Sequence, residues 1–176
     1  MTKQSRSTYL TLSALALAVA AATGSASAAV ATATSTSTVV TPVAISKNAD
    51  LSFGSFAPGA TSGTVTVSRN NTRAVSGGVV ALGSGATAAQ FAVTGQDGST
   101  YSITLGGSTS LTSGSDTMTF TSISDLTASA ATSGNVTGGT LTGGAQTIYV
   151  GGVLDVGANQ AGGTYTGPGT APAAYN

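Results

Sequence analysis

Polar and apolar residues alternate with a period of two through nearly every ordered stretch of this chain, and no stretch sustains a helical period. Thr64-Val65-Thr66-Val67-Ser68 has the pattern of a half-buried strand, and Phe91-Ala92-Val93-Thr94 and Tyr101-Ser102-Ile103-Thr104-Leu105 repeat it. Between the last two lies Gly95-Gln96-Asp97-Gly98-Ser99, where Asp-Gly supplies positive φ angles, so the pattern predicts a hairpin. Further strands are predicted at Val79–Leu82, Thr117–Ile123, Asn135–Leu141 and Thr147–Val156. In the last of these Ile148, Val150, Gly152, Leu154 and Val156 share one face, and the Gly151-Gly152 pair predicts a bulge or a close backbone approach. About eight short strands joined by Gly, Ser, Thr and Asp turns make an all-β antiparallel sandwich or barrel. Phe53, Phe56, Phe91, Tyr101, Phe120 and Tyr149 are the expected core anchors, favoured over a sugar-stacking platform because they sit at inward positions and no Trp accompanies them.

Two segments depart from this pattern. Residues 1–28 have a positive start (Lys3, Arg6), an apolar run from Leu10 to Ala22 and an Ala26-Ser27-Ala28 cleavage pattern. They read as an export signal, because the run is shorter than the roughly 20 residues of a membrane span. Residues 29–46 follow as an extended leader of alternating Ala, Ser, Thr and Val that ends near Pro42, with no hairpin partner in sequence. One reading is a flexible Ala/Ser/Thr leader. The other is a donor strand that adds to a second molecule, with Val39 and Val40 as its sizeable apolar side chains. Residues 47–176 then form the β-domain.

Composition narrows the chemistry. Ser and Thr fill 46 of positions 29–176, and that stretch holds no His, Cys, Glu or Trp. Its charges are Lys47, Arg69 and Arg73 against Asp50, Asp97, Asp116, Asp125 and Asp155, too few and too scattered for a nucleic-acid or anionic-membrane footprint. Without Cys no disulfide holds the fold. Hydroxyl nucleophiles abound, but no His is present to activate them, and no catalytic residue is assigned. The Asp residues are far apart in sequence with no D-x-D-x-D loop, so neither a metal site nor a cofactor is implied. Asp97 is assigned to its turn, and Asp116 and Asp125 to solvated strand ends.

Several stretches resemble the bacterial exported family called domain of unknown function 4402. They are Val39-Val40-Thr41-Pro42-Val43-Ala44-Ile45, Asp50-Leu51-Ser52-Phe53-Gly54, Ala89-Gln90-Phe91-Ala92-Val93-Thr94-Gly95, Tyr149-Val150-Gly151-Gly152-Val153-Leu154 and the run from Gly157 to Gly167. The resemblance implies a single immunoglobulin-like antiparallel β-sandwich similar to fimbrial, pilin-like subunits of Gram-negative bacteria, with no chemistry of its own. It departs at the C-terminus, where Pro168 and Pro172 precede Tyr175-Asn176. Proline has no N–H for a ladder, so the last strand is expected to be frayed, confined to an edge or lost, leaving an incomplete edge. The expected function is that of a non-catalytic exported surface protein, a fimbria-like structural or adhesive subunit in the periplasm, at the cell surface or in a filament. Expected partners are other copies or related subunits joined by β-strand addition, a periplasmic chaperone and an outer-membrane usher; neither nucleic acid nor stable membrane insertion is expected. The alternative is a monomeric extracellular module that binds a carbohydrate or another polymer.

Overall fold

The computed structural model describes residues 28–107 and 109–176, so the segment read as an export signal lies outside the described residues apart from Ala28. Residues 1–38 and 39–176 are two separate units. In the first, the described residues 28–38 hold no strand and are exposed.

The second unit contains strands β1 (Ala44–Ala49), β2 (Ser55–Ala57), β3 (Gly63–Val67), β4 (Arg73–Gly77), β5 (Val80–Leu82), β6 (Ala89–Thr94) and β7 (Thr100–Ile103). There follow β8 (Gly106–Gly107), β9 (Ser110–Ser113), β10 (Asp116–Asp125), β11 (Gly138–Thr140), β12 (Ala145–Val156), β13 (Gly169–Thr170) and β14 (Ala173–Tyr175). No helix occurs among the described residues. All pairings are antiparallel. The larger sheet runs β1-β6-β12-β10-β9, and β12 is long enough to pair β6 through Ala145–Val150 and then β3 through Gly152–Val156, with β4 outside β3. A second sheet runs β11-β7-β14, and the two-stranded pairs β13-β8 and β2-β5 complete the set.

Alternation explains the core. On β12, Ile148, Val150, Gly152, Leu154 and Val156 are all buried, as their shared phase requires. One apolar cluster joins the larger sheet to the second: Ala89, Val93, Ile148 and Val150 meet Tyr101, Ile103 and Leu141. The other gathers Phe53, Val65, Val67, Val79, Met118, Leu154 and Val156. These curled antiparallel sheets with a shared interior are those of a β-sandwich. At Gly151 there is no bulge, because the ladder to β10 keeps register through Ser122↔Gly152 and Ile123↔Gly151. The glycine is needed for close approach, since a Cβ there would collide with the carbonyl of Val67.

Several expectations are corrected. Residues 95–99 do reverse the chain, but they join no hairpin: β6 pairs with β1 and β12, and β7 with β11 and β14. The bonds a hairpin would close on itself go instead to the segment leading from β11 into β12. Gly95 N–H donates to Gly144 O at 3.0 Å, Gly98 N–H to Leu141 O at 2.7 Å, and Gly143 N–H to the Asp97 carboxylate at 2.8 Å. The turn is thus an arch from one sheet to the other. Among the aromatic anchors, Phe53 and Tyr101 are buried, whereas Phe56, Phe91 and Phe120 are half-buried. Tyr149 joins neither core cluster, because it lies between Ile148 and Val150 on β12 and takes the opposite phase. Asp116 and Asp125 are the two ends of β10, but Asp125 is only partly solvated. Its carboxylate pairs with the guanidinium of Arg69 at 2.6 Å, and Arg69 is only 5% exposed. The last strand survives at an edge: β14 pairs β7 through Ala173↔Ile103 and Tyr175↔Tyr101, beyond both prolines.

Candidate functional site

The inward face of the larger sheet is not fully covered. An open cleft of about 870 Å³ lies over it, with Phe91 of β6, Val150 and Leu154 of β12, and Met118 and Phe120 of β10 among its walls. Leu51, Phe53, Leu105, Leu111 and Tyr165 add further apolar or aromatic surface. Phe53 and Phe120 meet edge to face, with ring centroids 6.2 Å apart and planes at 64°. The half-burial of Phe91 and Phe120 follows from this cleft: both have the inward phase of their strands, and both line open space.

The cleft has a charged rim. Lys47 pairs with Phe91 across the β1–β6 ladder and so occupies the inward phase of β1 with Ile45, before the register shifts ahead of Ala49. Its ammonium reaches Asp50 at 2.6 Å, and both side chains remain largely in solvent. β1 ends the sheet, and an inward-phase charge on such a strand opposes unplanned edge-to-edge pairing.

The predicted donor residues are in the open: Val39 is 93% exposed and Val40 51%. No strand begins before Ala44 among the described residues. Among the described residues, Thr41 is tied down through its carbonyl, which accepts a 2.5 Å hydrogen bond from the Tyr175 hydroxyl. The same hydroxyl accepts from Gln96 N–H at 2.7 Å, so one phenol joins the start of the domain, the arch after β6 and the final strand. Gly95 makes room for it, because a Cβ there would occupy the place of the Tyr175 hydroxyl. The only sequence sign of this latch is the aromatic residue kept after the proline-rich stretch.

Elsewhere the polar side chains hold loops. Arg69 also donates to Ser129 Oγ at 3.3 Å and to the Ser133 carbonyl, fixing the connection between β10 and β11 onto the turn after β3. Arg73 serves the carbonyls of Phe53, Ser55, Leu82 and Gly83 and so closes the β2–β5 pair. Tyr101, wholly buried, donates to Gln146 Oε1 at 3.1 Å, and burial raises its pKa above the ordinary 10.0. Among the described residues, no three His, Cys, Asp or Glu side chains gather where a metal could be held. Among them, too, no helix is long and apolar enough to cross a membrane.

No curated protein and no solved structure matches the chain. A family model does match residues 43–175, from just before β1 to Tyr175 of the latch, and that span includes every strand of the sandwich. The chain therefore belongs to the family described as domain of unknown function (DUF4402).

Proposed function

We propose that this chain is an exported, non-catalytic surface protein that serves as a fimbria-like structural or adhesive subunit. It joins copies of itself or related subunits by lending residues 29–41 as an added strand. The observation that carries the reading is the exposure of Val39 and Val40 on a segment without a strand of its own. Two further features support it. β14 is an edge strand with one row of backbone groups outside the ladder, and the cleft offers apolar surface to small side chains. An added strand would satisfy the former and cover the latter. A chaperone and an usher would shield the same surfaces before assembly. In this reading the export signal is removed after Ala28, and the subunit acts in the periplasm, at the cell surface or in a filament.

Size-exclusion chromatography with light scattering on the mature chain tests the proposal. Concentration-dependent multimers are expected, deletion of residues 29–38 should abolish them, and Val39→Asp should weaken them strongly. A stable monomer at high concentration would defeat the strand-addition reading.

A further inference from the structure

The outward face of the larger sheet has a composition of its own. We propose that the part built by β4, β3, β12, β10 and β9 binds an uncharged polysaccharide chain. Cross-strand pairing places Ser76, Thr64 and Asp155 in one row, and the bond from Thr119 Oγ1 to Asp155 Oδ2 at 3.2 Å carries that row onto β10. Thr66, Val153 and Thr121 form the next row, and Thr117 stands opposite Thr112 on β9. Ser76, Thr112, Thr117, Thr119, Thr121 and Asp155 are exposed; Thr64 and Thr66 are half-buried. With strands about 4.8 Å apart, five of them make a field roughly 19 Å wide.

The chemistry of the field selects the ligand. A sheet face kept soluble by charge carries Lys, Arg or Glu in both signs. Here most outward positions carry hydroxyls, with Ala74 and Val153 the apolar exceptions and Asp155 the charged group among them. Each hydroxyl both donates and accepts, as sugar hydroxyls do, while the carboxylate accepts only and suits neighbouring sugar O–H groups. A field with no cation and one anion repels acidic polymers, which leaves neutral ones. Threonine side chains are stiff at χ1, and two of the hydroxyls are already oriented, by the Thr119–Asp155 bond and by Thr64 Oγ1···Ser76 Oγ at 2.8 Å. The face therefore loses little freedom when a regular surface docks on it. A shallow hollow of about 490 Å³, lined by Thr64, Thr117, Thr119, Asp155 and Gln160, lies at the end of the field where β3 begins and β12 ends, and gives one end of a linear chain a seat. Met118 and Gln160 line both this hollow and the cleft, but the rows of hydroxyls do not, so the inference stands apart from subunit assembly.

The test uses the mature chain with insoluble cellulose, starch granules and heparin–agarose. Retention on at least one glucan is expected, undiminished by high salt, with none on heparin. The triple variant Thr64→Val, Thr119→Val and Thr121→Val keeps side-chain shape and strand preference, and should lower retention about tenfold or more through three lost hydrogen bonds. In the unmodified protein, amide shifts on titration with cellohexaose or maltohexaose should map to Thr64, Thr119 and Thr121, a readout that does not depend on the variant folding. Failure of the wild type to bind either glucan would overturn the proposal. So would equal retention of a folded triple variant, shifts confined to other surfaces, or loss of self-association as the sole effect of the triple change.

Discussion

Phe120→Ala separates an open cleft from a closed core. Phe120 has the inward phase of β10, so the alternating pattern by itself assigns it a fully buried ring. The structure leaves the ring half-buried against open space, with one aromatic neighbour, Phe53. Complete burial of such a side chain is worth about 1.5–3 kcal/mol, and half of that is about 1–1.5 kcal/mol. The edge-to-face pair adds about 0.5–1.5 kcal/mol. No sealed cavity forms, because the space beyond the ring already joins solvent, so the total is about 2 kcal/mol. Ile148→Ala supplies the comparison. Its side chain is 0% exposed at the centre of the other cluster, and truncation there leaves a void within the range of about 2–5 kcal/mol seen for such changes. Enclosure on all sides puts it near 4 kcal/mol. For a domain of this size each kcal/mol lowers Tm by roughly 2–4 °C, so the two variants should melt about 4–8 °C apart, Phe120→Ala the higher. Urea unfolding at unchanged m checks the same order. Equal losses in the two variants would mean that the cleft is closed in solution, and the reasoning that links it to strand addition would fail with it.

Arg69→Met should cost about 2–3 kcal/mol in urea unfolding. It strands the Ser133 carbonyl and takes the cation from the Asp125 carboxylate, which keeps Leu126 N–H and the Thr127 hydroxyl and is partly exposed, so the loss stays below that of a fully buried pair; an unchanged midpoint would remove Arg69 as the clamp of that loop. For Tyr101 the raised pKa means that the unfolded chain releases its phenolic proton first as pH rises. Its contribution is thus whole below about pH 10 and is lost as pH climbs through the folded-state value. Tyr101→Phe should therefore show a shallower alkaline fall in stability than the wild type, and parallel curves would contradict the burial argument.

What the sequence disclosed depended on how local the determinant was. The buried face of β12 was legible because five residues at every second position needed no partner to reveal their phase. The same rule assigns Tyr149, between Ile148 and Val150, to the outside, which corrects its place among the inward-phase anchors. The sharp turn at Asp97-Gly98 was legible too, but a turn signal specifies only that the chain reverses. Which strands it then joins depends on segments near residues 140–145 and 173–175, far along the chain. β2, β8 and β13 are two or three residues long and carry no period to detect. The ion pair of Arg69 with Asp125 spans 56 residues, and the latch from Tyr175 to Thr41 spans 134. Neither leaves a trace in local pattern. At the candidate site Val39 and Val40 were found by their size in a run of small residues, whereas the open space beside Phe91 and Phe120 is a property of the assembled sheets.

The position of β12 in the chain sets the order of events during folding. This strand holds β6, β3 and β10 together, yet it spans Ala145–Val156, after all three have been synthesised. Before it arrives, β6 has only β1 and β3 only β4 as sheet neighbours, and isolated pairs of strands are marginal in water. The pairings of β12 with β3 and β6 close loops of about fifty residues or more, a topology that folds slowly. A nascent chain of this kind lacks its central strand, and so its joined sheet, until β12 is present. That is the state in which a polypeptide can be threaded through a narrow channel, so slow collapse favours the export proposed for it.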